Sequence, residues 1–158
     1  MKNILFLLVA FIALFSQNAQ AQAAPANEEA KQLVQTSRKN KAAIDSLLQV
    51  FSNGRAAAQR ANNTAEVQFC DKAIKLLRDT KSFDDQVIAA GEGMSAAKLE
   101  GFKTTAGRLD QQATSLLSSP PNPAAGQTLQ QCLQNCSSYY YKWWMIVARI
   151  GCKLACYF

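Results

Sequence analysis

The chain has 158 residues, with 17 Lys and Arg against 11 Asp and Glu and no His. Without histidine it lacks the commonest general base and the commonest metal ligand. It also has no Gly-rich phosphate loop and no Gly-x-Ser-x-Gly elbow. The composition therefore speaks against an enzyme, and no cofactor is expected.

Lys2 opens the chain and Ile4 to Phe15 is an unbroken apolar run. A polar stretch then ends in Ala19-Gln20-Ala21. Basic, apolar and small-residue regions in that order are the pattern of a secretory signal. The expected cut follows Ala21, making 1–21 a signal peptide, with Ala23 as a second possible site. An apolar run of this length rises only about 18 Å as helix, short of the ~30 Å hydrocarbon core. A secreted or periplasmic protein is expected.

Residues 22–118 read as helices. Asn27 followed by Glu28 and Glu29 suits a helix start, since acids favour the positive end of the dipole. Ile44, Leu47, Leu48 and Phe51 follow the i, i+3, i+4, i+7 stripe. Gly54 is the expected stop, with Ala-rich Arg55 to Ala61 as a possible continuation. Asn63 and Glu66 have capping-box spacing, and Val67, Cys70, Ile74 and Leu77 form the next seam. Ser82 with Asp85 suggests another start, leading to Phe83, Val87 and Ile88 before Gly91 and Gly93. From Ser95, the positions Leu99, Phe102, Ala106, Leu109, Ala113 and Leu116 make one sustained seam. The fold class is all-α: a bundle or long hairpins of three to four helices. Residues 22–118 would be that bundle or a pro-region.

Pro120, Pro121 and Pro123 cannot continue a helix. Residues 119–126 are read as a linker. Behind it the composition changes. All acids lie between Glu28 and Asp110, whereas 120–158 carries Lys142, Arg149 and Lys153 and no acid.

Segment 127–158 holds four of the five cysteines, as Cys132-x3-Cys136 and Cys152-x3-Cys156. Cysteines at i and i+4 share one helix face, yet stand too far apart to bond each other. If the two helices run antiparallel, the nested pairs Cys132–Cys156 and Cys136–Cys152 come into register. A zinc tetrathiolate is the competing use, disfavoured by an oxidising compartment. This twin spacing over 132–156 resembles the CX3C helical hairpins of the plant α-hairpinin defence peptides. It also resembles the small chaperones of the mitochondrial intermembrane space. The first resemblance implies a compact, disulfide-stapled helical hairpin with antimicrobial or inhibitory activity. The turn of such a hairpin falls near Trp143-Trp144-Met145. Cys70 is left over, at a seam position.

Tyr139, Tyr140, Tyr141, Lys142, Trp143 and Trp144 precede an apolar run through Ile146 and Val147. On one continuous helix, Lys142, Arg149 and Lys153 share a face within about 40°, at 100° per residue. Trp143, Val147, Ile150 and Leu154 form a separate face about 110° away. Cations on one side and bulk on another suit a membrane interface. The same stripe suits packing against the bundle, and the sequence leaves both open. Three cations make a weak phosphate tracker, so nucleic acid is not an expected partner.

The leading functional expectation is a secreted precursor carrying a cationic, membrane-active, bacteriocin- or defence-like peptide at its C-terminus. Its contact residues would be Tyr139 to Trp144, Ile146, Val147, Arg149, Ile150, Lys153 and Leu154. Its partner would be an anionic membrane surface or a protein target. The alternative is an intact, non-enzymatic helical interaction protein with the hairpin as a structural cap.

Overall fold

A computed structural model describes residues 26–121 and 126–157. The expected signal peptide and part of the proline linker lie outside the described residues.

Helix α1 spans Ala26–Arg60, with Glu28 and Glu29 in its first turn. It runs straight through Gly54, contrary to the expected stop. Arg55 to Ala58 are good helix formers, and Ala58 is buried, so propagation outweighs the roughly 1 kcal/mol weakness of a helical glycine. A Cβ at Gly54 would stand 3.6 Å from Cys70 Sγ, which places this glycine on the α1–α2 seam. The chain reverses at Asn62, whose φ of 54° is left-handed, a conformation asparagine tolerates.

Helix α2 spans Thr64–Ala90. The Asn63 side chain accepts the Glu66 N–H, satisfying one of the free donors of the first turn. No new helix begins at Ser82. Leu77, Thr80, Phe83, Asp84 and Val87 continue one buried stripe, so packing carries the helix past it. The helix ends at Gly91, whose φ is 72° and whose N–H reaches the carbonyls of Val87 and Ile88.

Helix α3 spans Ala96–Leu117, with the Ser95 hydroxyl accepting the Lys98 N–H. Leu99, Phe102, Ala106, Leu109 and Ala113 are buried as their spacing implies. Leu117 completes the stripe and Leu116 is only partly buried. Beyond Pro121 come α4 (Gly126–Tyr139), a 3-10 turn (Trp143–Met145) and α5 (Ile146–Ala155).

The first three helices run up, down and up. Salt bridges Lys41–Asp85, Arg55–Asp71 and Lys81–Asp45 tie α1 to α2 in antiparallel register. These exposed pairs add little energy each. Phe83 meets Phe102 edge-on at 5.6 Å between α2 and α3. Helix α5 then packs along α1 and α3 as the fourth wall of the core. Ile146, Val147, Ile150 and Leu154 are at most 1% exposed, in the same cluster as Leu33, Phe51, Leu77 and Leu109. Burial contributes roughly 2 kcal/mol per such side chain. The fold is thus all-α, and α4 lies outside the bundle, fastened to α5.

Candidate functional site

The C-terminal segment is held by two bridges, Cys132–Cys156 and Cys136–Cys152. Their nesting makes α4 and α5 antiparallel. Cα separations of 5.9 and 5.8 Å lie at the usual value for a disulfide. Such bridges persist in an oxidising, non-cytoplasmic compartment. No helix among the described residues is long and apolar enough to cross a membrane. Cys70 is the free cysteine, buried, and burial pushes its thiol up in pKa.

The turn between the helices falls at Trp143–Met145, where the sequence placed it, although it contains none of the usual turn residues. A 3-10 turn needs none: the Met145 N–H bonds to the Lys142 carbonyl and all its φ values are negative. This turn also separates Lys142 from α5. The single cationic face drawn by assuming one continuous helix therefore does not form.

The three cations instead take separate roles. Lys142 lies over the rings of Tyr141 and Trp144, at 5.0 and 5.4 Å from their centroids. Lys153 is buried, and its Nζ donates to Asp110 Oδ1 at 2.7 Å and to Thr114 Oγ1 at 3.0 Å, both on α3. Arg149 approaches the same carboxylate, Nε to Oδ1 3.7 Å.

The other expected contact residues divide by exposure. Ile146, Val147, Ile150 and Leu154 face the core and offer nothing to solvent. Tyr140 is buried, and burial raises its phenol pKa. Trp143 and Trp144 are half-buried and meet edge-on at 6.2 Å. Lys103 of α3 lies over Trp143 at 5.1 Å, with Glu100 and Glu29 raising its pKa. Tyr139, at 76% exposure, and Tyr141, at 47%, are the large hydrophobics that remain open. The exposed side chains at this turn are therefore Tyr139 and Tyr141, with Lys142 and Trp144 partly exposed beside Tyr141.

At the other end of α5, the Tyr157 hydroxyl donates to the Glu66 carboxylate at 2.7 and 2.8 Å. Its ring stacks on Phe69, with centroids 4.1 Å apart. Burial, with the Glu66 carboxylate adding to it, pushes the phenol pKa well up. Glu66 thus caps nothing with its side chain; the spacing that suggested a capping box serves a contact 91 positions away. The contacts made by Asp110, Thr114, Glu66 and Lys103 were not read from the sequence. One signal bore on Asp110: a cation buried on an acid-free segment, as Lys153 is, needs a carboxylate from elsewhere.

Comparison of the chain with protein-family models, curated proteins and solved structures finds no match.

Proposed function

We infer that the chain acts as one intact, exported, non-enzymatic helical interaction protein. Its stapled hairpin is a structural cap, and its turn at 139–144 is the contact surface. The observation that carries this reading is the burial of Ile146, Val147, Ile150 and Leu154 in the core shared with α1 to α3. A segment that supplies the fourth wall of the core works best when it stays attached. The partner best suited to the open face is an anionic lipid surface. Tyrosine and tryptophan favour the headgroup zone, and Lys142 supplies the cation.

Sedimentation with vesicles tests it. Intact oxidised protein is expected to pellet with phosphatidylglycerol-containing vesicles and to remain in solution with pure phosphatidylcholine. The triple substitution Tyr139→Ala, Tyr141→Ala and Lys142→Ala should abolish the difference. Equal pelleting of the variant defeats the reading.

A second reading keeps the membrane-active precursor, because both bridges lie wholly within 132–156. Cleavage in the linker would leave a peptide that keeps both staples, and the bundle would cover its apolar face until then. Mass spectrometry of the exported product separates the two. A species ending at Phe158 and starting near Gln22 favours the intact protein, and one starting near Pro120 favours the precursor.

A further inference from the structure

Three of the four bridged sulfurs are gathered more tightly than two separate disulfides require. Cys136 Sγ lies 3.6 Å from Cys156 Sγ, which belongs to the other bridge. The sulfurs of Cys132, Cys136 and Cys156 all lie within 4.8 Å of one another. A tetrahedral zinc thiolate has Zn–S bonds of about 2.3 Å, which sets its sulfurs roughly 3.8 Å apart. The Cys136–Cys156 separation is already close to one edge of that tetrahedron.

Packing holds the α5 cysteines in place independently of the sulfur bonds. Cys152 lies within α5 and Cys156 caps its C-terminal end, and α5 is anchored by Ile146, Ile150 and Leu154 in the core and by Lys153 on Asp110. Leu129 of α4 is buried, and Leu133 packs against the main core. Opening both bridges therefore leaves two helices with facing cysteine pairs.

We propose that, when both bridges are reduced, Cys132, Cys136, Cys152 and Cys156 form a closed site for a thiophilic divalent ion such as Zn2+. The segment then has two interchangeable staples, sulfur–sulfur when oxidised and metal when reduced. A dithiol reduces each bridge through a mixed disulfide and closes to its own disulfide. Each bridge takes up two electrons and two protons, so two dithiols yield four thiols. The ion then displaces the four thiol protons to solvent, forming four metal–sulfur bonds. Cys70 lies apart, against Gly54, and takes no share. The inference does not depend on the proposed lipid contact.

The test uses the full chain, reduced with excess dithiol and desalted without air. After incubation with Zn2+ and a second desalting, the reduced chain is expected to retain one equivalent and the oxidised chain none. Co2+ in place of Zn2+ should give the strong visible absorption of a tetrahedral cobalt thiolate. Cys70→Ser should retain full binding. Joint substitution of Cys132, Cys136, Cys152 and Cys156 by Ser should remove it. The proposal is overturned if the reduced chain retains no zinc, if the fourfold variant retains as much, or if Cys70→Ser abolishes retention.

Discussion

Lys153 on α5 places its buried ammonium 2.7 Å from the Asp110 carboxylate on α3, joining the stapled segment to the bundle. The pair is 43 positions apart in sequence. An ammonium held at this depth needs its counter-ion, because an unpaired buried charge costs several kcal/mol.

Removing the acceptor is therefore expected to do more harm than removing the donor. Asp110→Ala leaves Lys153 buried without its partner and should lower stability by about 3 kcal/mol in urea denaturation. Lys153→Met keeps the stem's packing and removes the charge, so it should fall within about 1 kcal/mol of the native protein. Equal effects of the two substitutions would show that the ion pair does not bear on how α5 is held.

Asp84 makes stability depend on pH. It is fully buried on α2 and interacts with Ser37 of α1. Burial raises its pKa from 3.8 to about 7. Ser37 and Lys41 pull the other way, and Asp85 adds to the rise. A carboxyl whose folded pKa exceeds its unfolded value binds more protons when folded. Stability is then highest below about pH 4 on this account and declines as pH rises toward 7, by at most roughly 4 kcal/mol. Asp84→Asn should raise the melting temperature at pH 8 and change it little at pH 4. A pH-independent effect would contradict the assignment.

Gly54 offers a gain. Its φ is helical, and an added Cβ meets only Cys70 Sγ at ordinary contact distance. Gly54→Ala should stabilise the protein by about 0.5–1 kcal/mol, from the reduced freedom of the unfolded chain. Loss of stability in the same urea assay would mean that the α1–α2 seam is tighter there than the geometry shows.

Much of this fold was legible in the chain because local signals and burial agree. Asn63 caps α2 as its spacing suggested, α3 begins where Ser95 placed it, and the seams from Ile44, Cys70 and Leu99 line the core. Gly54 and Ser82 misled because a glycine or a capping residue only weakens a helix. Tertiary packing of Phe51, Ala58, Phe83 and Val87 decides whether it continues. The nested cysteine pairing followed from spacing, since period 3.6 leaves few other registers. The fate of α5 did not. An apolar stripe flanked by cations looks the same whether it meets lipid or a groove between two helices. The groove between α1 and α3, and the place of Asp110 beside it, are set by packing that the local sequence does not show.

The central claim is that α5 belongs to the bundle rather than to a detachable peptide. A specific protease site inserted between Ser119 and Gly126, cut in the oxidised folded protein, tests this directly. Gel filtration without denaturant is expected to return both fragments in one peak with unchanged helicity. Elution of the C-terminal fragment on its own, with the remaining three helices still folded, would contradict it.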